Sequence, residues 1–132
     1  MGVRFNMIGL FVNDLQKTIA FYRDVIGIEV KQIDGPYAEF KHDGIGFAVF
    51  ERAKVPEWLG VTPAYPAGLN GTFELAIDLP HFKDVDREFD RLVKAGAKPV
   101  MEPKDMPWGQ RSSVVADPDG NFIEIGSFNS EE

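Results

Sequence analysis

Two glutamates stand on segments that are otherwise rich in apolar side chains, and they are the strongest candidates for chemistry in this chain. Glu74 falls within the strand-like run 73–79, and Glu124 falls within the run 122–128. An ionised carboxylate on such a strand is costly to bury unless something pairs with it. Three explanations are open: the carboxylates face bulk water, they have raised pKa values and act as acid or base, or they meet a cation. Glu74 and Glu124 are therefore the candidates for catalysis.

Aromatic rings and one arginine outside the most regular segments are candidates for ligand binding. Trp58, Tyr65 and Trp108 lie in segments predicted to be loops, where aromatic rings either line a cleft or fill the core. Arg111 stands at the start of a predicted strand. Its guanidinium group can hold an anionic group of a ligand, or it can pair with one of the many nearby carboxylates.

The elements that position these residues follow from the spacing of apolar side chains. This spacing alternates between the strand period of 2 and the helix period of 3.6, which is typical of an α+β or α/β domain. A strand is predicted at 4–12, followed by a helix that Asp14 can cap and that Gly27 ends. Short turns then separate three strand-like runs, which predicts an antiparallel meander over 28–33, 37–41 and 46–51.

The same order of elements recurs in the second half of the chain. A stretch rich in proline and glycine, 53–71, is predicted to be a linker or loop. A strand at 73–79 and a helix that stops at Gly96 follow it. Further strand-like runs occupy 98–101, 111–116 and 122–128, the last two joined by an Asp-Pro-Asp-Gly turn. We therefore expect a single domain over residues 1–132, with module 1 at about 1–53, a linker at about 54–70 and module 2 at about 71–132.

Composition excludes several classes of function. The chain has 132 residues, 44% of them hydrophobic, which is typical of one globular domain. It has no cysteine, so disulfide scaffolds, thiolate metal sites and cysteine nucleophiles are excluded. The net charge of -7 opposes binding to nucleic acid and to anionic membranes. No apolar run is long enough to span a bilayer and the first residues lack the pattern of a signal peptide, so we expect a cytoplasmic protein.

Three segments resemble one known family: Phe-Val-Asn-Asp-Leu at 11–15, Phe-Tyr-Arg-Asp-Val-Ile-Gly at 21–27 and Asp-Pro-Asp-Gly-Asn at 117–121. The resemblance is to the vicinal oxygen chelate superfamily, which includes glyoxalase I, extradiol dioxygenases, fosfomycin-resistance proteins and bleomycin-resistance proteins. It covers nearly the whole chain. It implies an α+β fold of two βαβββ modules, whose eight mostly antiparallel strands form a cup-shaped half-barrel. It also implies a homodimer with sites beside or across the subunit interface.

The resemblance further implies four positions for metal ligands, which correspond here to Met7, Ala48, Glu74 and Glu124. Histidine and glutamate usually fill at least three of them in members that hold a metal. Methionine and alanine offer no donor for a hard ion, so we expect no metal and no other cofactor. The alternative is a divalent cation, magnesium, manganese or calcium, held by Glu74 and Glu124 with several waters retained.

Strand alternation predicts the lining of the cup, because every second side chain faces the same side of a sheet. The lining is acidic and aromatic, which favours binding or sequestering an aromatic or cationic small molecule over a small anion. Two alternatives stay open: a metal-dependent lyase, isomerase or dioxygenase that uses Glu74 and Glu124, and a protein-interaction module with a vestigial cup. These residues are compatible with an enzyme and with a binding protein alike. The residues expected to bind the ligand are Met7, Phe11, Ala48, Phe50, Trp58, Glu74, Trp108, Arg111, Phe122 and Glu124.

Overall fold

The computed structural model describes residues 2–131, which divide into two compact units. Unit 1 extends to Tyr65, and unit 2 begins at Pro66. Each unit contains one four-stranded mixed sheet and a helix that follows its first strand. The α+β class and the repeated βαβββ order predicted from the sequence are confirmed.

Unit 1 has the sheet order β1-β4-β3-β2, in which β1 runs parallel to β4 and the other pairs are antiparallel. The three consecutive strands β2 to β4 form the predicted meander. The elements of unit 1 are β1 (Met7–Val12), α1 (Leu15–Ala20), a π-helical turn (Phe21–Ile26), β2 (Val30–Asp34), β3 (Tyr37–Phe40), β4 (Gly46–Glu51), a 3₁₀ turn (Arg52–Lys54) and α2 (Val55–Leu59).

The first helix covers one face of the unit 1 sheet. The Asp14 side chain caps α1 by accepting the Lys17 amide at 3.1 Å, and Gly27, with φ at 95°, ends the π-helical turn. Tyr22 is buried, and the centroids of the Tyr22 and Phe47 rings are 5.0 Å apart. Because alternate side chains of a strand point to opposite faces, the other face of the sheet is free to form a site.

Unit 2 repeats this arrangement with the sheet order β5-β8-β7-β6. Its helix buries Val85, Phe89 and Leu92 against β7 and β8. At the start of the helix, the His81 amide donates to the Asp84 carboxylate at 3.0 Å, which closes a capping box. The elements are β5 (Asn70–Asp78), α3 (Phe82–Lys94), β6 (Lys98–Asp105), β7 (Arg111–Ala116) and β8 (Asn121–Ser127).

A buried turn joins β7 to β8 and sets their register. The Asp117 carboxylate, 4% exposed, accepts the amides of Asp119 and Asn121, each at 2.9 Å. Gly120 has a φ of 84°, and a Cβ atom there would lie 2.0 Å from the Gly68 carbonyl oxygen. The turn therefore requires glycine for two reasons, its left-handed backbone and the closeness of another segment.

The structure corrects three boundaries predicted from the sequence. The first strand begins at Met7 rather than at residue 4, and β6 continues to Asp105 rather than ending at 101. β6 is an edge strand, where Pro103 is tolerated because its missing amide is not needed by a neighbour. The predicted linker at about 54–70 contains α2, because Pro56 suits the first turn of a helix and Gly60 suits its end.

Within residues 2–131, no helix has both the length and the apolar composition needed to cross a membrane.

Candidate functional site

The open face of the unit 1 sheet carries a cleft of about 410 Å³, within the size range of small-molecule sites. The register of the parallel pair β1 and β4 places Gly9 beside Ala48 and Phe11 beside Phe50. Apolar and aromatic residues therefore line the cleft, namely Met7, Gly9, Phe11, Tyr37, Ala48, Val49, Phe50 and Trp58.

Three aromatic rings form one wall of this cleft. The Phe50 and Trp58 ring centroids are 5.4 Å apart, those of Phe11 and Trp58 are 6.1 Å apart, and those of Phe11 and Phe50 are 6.3 Å apart. Trp58 contacts both phenylalanines in this way and is still 61% exposed. An exposed indole held by two other rings presents a flat surface on which a ligand ring can stack.

The helix α2 positions Trp58, although the sequence predicted a loop for this residue. Val55 is fully buried and anchors the helix, and Gly60, with φ at 74°, ends it. Arg52, just before the helix, donates from Nε to the Phe11 carbonyl oxygen at 2.9 Å, and its guanidinium carbon lies 4.4 Å from the centroid of the Tyr65 ring. These contacts tie the end of β1 to the segment that carries the tryptophan.

Tyr37 lines the same cleft, although it was not among the site residues predicted from the sequence. It stands directly across from Phe50 in the pairing of β3 with β4. Burial raises the pKa of the Tyr37 phenol, and the charge of Glu39 and a hydrogen bond to it act in the same direction. The turn before β3 and the alternation of side chains along 37–40 could have placed Tyr37 on the open face of the sheet.

The open face of the unit 2 sheet brings Glu74 and Glu124 together. Glu74 lies across from Phe122, and Ala76 lies across from Glu124, so all four side chains share one face. Desolvation raises the pKa of the Glu74 carboxyl, and the charge of Glu124 and a hydrogen bond to it raise the pKa further. The Ser112 hydroxyl also donates to Glu124 Oε2 at 2.6 Å. This arrangement can hold a proton between the two carboxyl groups and can pass it to a ligand.

Trp108 and Gln110 extend this polar cluster along the same face. The Trp108 indole Nε1 donates to Gln110 Oε1 at 2.9 Å, and Gln110 is 8% exposed. A Cβ atom at Gly126 would lie 2.6 Å from Gln110 Nε2, so the amide rests directly over this glycine. Gln110 and Ser112 were not among the site residues predicted from the sequence. The register of β7 on β8 would have shown that Ser112 and Glu124 are near neighbours on one face.

Arg111 does not join the carboxyl pair. Its Nε and Nη2 donate to the two oxygens of Asp86 at 2.8 and 2.9 Å, and its Nη1 donates to Asp105 at 2.9 Å. Asp86 belongs to α3, on the opposite side of the sheet from Ser112 and Glu124. Of the two roles predicted for Arg111, the structure shows the pairing with nearby carboxylates, both on the helix side. That Arg111 holds an anionic group of a ligand stays a prediction.

A tightly bound transition metal does not fit these residues. Among residues 2–131, no three histidine, aspartate or glutamate side chains are gathered as a metal centre requires. Desolvation, and then the charge of Glu124, raises the pKa of the Glu74 carboxyl, which disfavours two ionised carboxylates side by side. The Ser112 hydroxyl donates to Glu124 and adds no anionic ligand. Met7 and Ala48, in unit 1, supply no oxygen or nitrogen donor from their side chains.

Comparisons with known proteins agree on one family. A model of the Glyoxalase/Bleomycin resistance protein/Dioxygenase superfamily matches residues 4–125. An uncharacterised protein of Mycobacterium bovis is 35% identical over 121 residues, covering 89% of this chain and 78% of its own length. A probable lactoylglutathione lyase of Synechocystis is 31% identical over 127 residues, covering 92% of each chain.

A solved structure shows the same fold. The crystal structure of a glyoxalase/bleomycin resistance protein/dioxygenase from Nocardioides matches with a TM-score of 0.86 at 23% identity, over 100% of this chain and 87% of the other. Members of this superfamily often use a metal ion. The chain belongs to the Glyoxalase/Bleomycin resistance protein/Dioxygenase superfamily.

Proposed function

We propose that this chain binds a small molecule with a flat aromatic ring, either neutral or cationic, in the cleft of unit 1. The observation that carries the proposal is the wall formed by Phe11, Phe50 and Trp58, in which the tryptophan contacts both other rings and remains 61% exposed. Aromatic rings gain free energy by stacking on such a surface, and cations gain from the negative face of an indole.

Charge supports the choice of neutral and cationic ligands over anions. The chain carries a net charge of -7, so its field repels small dianions. The side chains that line the cleft include no arginine or lysine to offset that repulsion. Non-covalent binding or sequestration, as the bleomycin-resistance branch of the superfamily implies, is consistent with such a lining.

Calorimetric titration with three ring-matched probes tests this proposal: 1-methylquinolinium, quinoline at pH 8 and 2-naphthoate. We expect the cation and the neutral ring to bind more tightly than the anion. Trp58→Ala is expected to weaken the binding of both by about fivefold, since stacking on one ring contributes about 1 kcal/mol. Phe128→Ala removes an exposed aromatic ring that belongs to neither candidate site and is the matched control. Tighter binding of 2-naphthoate, or equal losses in the two variants, would contradict the proposal.

A second candidate function is proton-transfer catalysis, as in a lyase or isomerase, and the pair of Glu74 and Glu124 favours it. A protonated carboxyl group beside an ionised one can act as acid and base in turn. The relative from Synechocystis named a probable lactoylglutathione lyase points to the same class of reaction. In this candidate, magnesium, manganese or calcium is the alternative cofactor, with Glu74 and Glu124 as its ligands and water completing the set.

Proton exchange in D₂O separates the two candidates. Proton NMR of a panel of α-hydroxyketones would report loss of the α-proton signal if the carboxyl pair abstracts it. Catalysed exchange that disappears in Glu124→Gln would support the enzyme. Absence of exchange, together with tight binding of the aromatic probes, would support binding alone. Absence of both activities would leave a protein-interaction role.

A further inference from the structure

A carboxylate stands next to the aromatic cleft of unit 1, within the same sheet face. In the pairing of β3 with β4, Glu39 lies directly across from Ala48, and Tyr37 lies directly across from Phe50. Ala48, Tyr37 and Phe50 all line the cleft. Directly opposed side chains on one face of an antiparallel pair have their Cβ atoms about 4.5–5.5 Å apart. The Glu39 side chain is therefore at the margin of the cleft.

The surroundings of Glu39 leave it able to bind a ligand. Its side chain is 29% exposed, so water and small molecules reach the carboxylate. Its cationic neighbour is Lys31, whose Nζ lies 3.7 Å from Glu39 Oε2 and whose side chain is 57% exposed. A pair at that distance and exposure contributes little free energy. A cation on a bound ligand can therefore displace Lys31 at small cost.

Tyr37 connects the carboxylate to the aromatic lining. Tyr37 stands two residues before Glu39 in β3, and after burial the charge of Glu39 is the next cause that raises the pKa of the phenol. The same ring lines the cleft beside Phe50. A ligand ring against Phe50 and Trp58 thus lies near a phenol that neighbours a carboxylate.

We infer that Glu39 determines the charge specificity of the cleft: its carboxylate binds a cationic group attached to a ligand ring that stacks against Phe50 and Trp58. The ligand class is then an aromatic amine, amidine or quaternary ammonium compound. This inference rests on the proposed binding function and names the charge of its ligand. The carboxylate that selects the cation is Glu39 in unit 1, a residue outside the pair of Glu74 and Glu124.

Removal of Lys31 should have the opposite effect on cation binding to removal of Glu39. Because Lys31 competes with the ligand for the Glu39 carboxylate, its removal frees that carboxylate. Lys31→Gln should therefore strengthen the binding of an aromatic cation, whereas Glu39→Gln should weaken it. Neither variant removes a ring from the cleft, so both should bind a neutral ring as the wild type does.

The test is the ratio of affinities for 1-methylquinolinium and quinoline, measured by calorimetry at pH 8 and low ionic strength. Relative to wild type, we expect Glu39→Gln to lower this ratio by about five- to tenfold, and Lys31→Gln to raise it by about two- to fivefold. Asp24→Asn is the control, because Asp24 is an exposed carboxylate paired with Arg23 on the helix side of the same unit.

The possible outcomes distinguish the role inferred for Glu39 from the proposed binding of aromatic rings on which it rests. A ratio that falls in Glu39→Gln and rises in Lys31→Gln, with no change in Asp24→Asn, supports the inference. Quinoline binding that depends on Trp58 with a ratio unchanged in both variants overturns the inference and leaves the proposed function standing. Binding of neither probe to the wild type overturns both. If Glu39→Gln does not fold, Lys31→Gln alone decides, and an unchanged or lower ratio in it overturns the inference.

Discussion

The Glu74 and Glu124 carboxyl groups lie on one face of two neighbouring parallel strands. Glu124 accepts a hydrogen bond from the Ser112 hydroxyl at 2.6 Å. Desolvation raises the pKa of the Glu74 carboxyl, and the nearby charge of Glu124 raises it further.

Because of Glu74, the free energy of unfolding should decrease as pH rises. Its pKa in the folded chain is above that in the unfolded chain, so the folded state binds more protons between these two values. The contribution of Glu74 to the free energy of unfolding is then fully present below the usual carboxyl pKa range. It is lost as pH rises through the raised pKa of the folded chain. Glu74→Gln should remove this loss and become more stable than wild type at neutral pH, by at most about 1 kcal/mol because Glu74 is exposed to solvent.

Urea denaturation of both proteins between pH 4 and pH 8 measures this difference. Glu102→Gln, which removes an exposed carboxylate from the edge strand β6, is the control. The same pH-dependent gain in Glu102→Gln would show that overall charge, rather than the neighbouring Glu124, is responsible.

Gly120→Ala should destabilise the chain severely, by about 3 kcal/mol or more, because the new Cβ atom would lie 2.0 Å from the Gly68 carbonyl oxygen. Gly44→Ala is a matched control: Gly44 has a similar φ of 78°, but no atom lies within 4 Å of its Cβ position. We expect that control to cost about 1 kcal/mol from backbone strain alone. Equal thermal unfolding midpoints for the two variants would refute the role assigned to Gly68.

Arg111→Lys should lower stability by about 1 kcal/mol, because lysine cannot reproduce the two-pronged contact with Asp86. It should leave the binding of quinoline and 1-methylquinolinium unchanged, since Arg111 lies outside the cleft. Chemical denaturation and calorimetry of the same preparation check both statements. Weakened ligand binding in a variant of unchanged stability would indicate that Arg111 is part of the ligand site.

Protein purified without chelator and then dialysed should contain no stoichiometric zinc, nickel or iron. Glu74 and Glu124 alone cannot supply the donor set that such ions require. Elemental analysis by mass spectrometry gives the answer directly. One equivalent of a transition metal in the wild type, lost in Glu124→Gln, would contradict the expectation.

We propose a homodimer in solution, as the superfamily resemblance implies. Val3 is fully exposed and Phe5 is 89% exposed, and both precede the edge strand β1. Apolar side chains beside an unpaired strand edge favour association. Sedimentation equilibrium at micromolar concentration should give about twice the chain mass of 14.8 kDa. A monomer at all concentrations up to about 100 μM would exclude a stable dimer.

The elements that sequence reasoning predicted well depend on local signals. Asp14 caps α1 and Gly27 ends its π-helical extension within one short segment, and the Asp-Pro-Asp-Gly turn defines the hairpin of β7 and β8. Each of these features depends on residues close together in the chain. Glu74 and Glu124 are distant in sequence, and the family resemblance rather than a local signal grouped them at one site.

The features that were missed depend on partners distant in sequence or on an ambiguous composition. Arg111 bonds to Asp86, 25 residues away, and no local pattern indicates which carboxylate it finds. The register of β3 on β4 brings Tyr37 into the cleft and Glu39 to its margin. Proline and glycine favour loops on average, yet in α2 they occupy the two helix positions that suit them.

One of the three rings in the aromatic wall of the unit 1 cleft stands outside the sheet. Phe11 and Phe50 stand in strands whose backbones are paired, but Trp58 stands on a five-residue helix that ends at Gly60 and leads into an irregular segment. Substitutions or small length changes after Gly60 would alter the ring surface without breaking a ladder hydrogen bond. The ring presented at this position can therefore be exchanged while the paired strands of unit 1 keep their backbone hydrogen bonds.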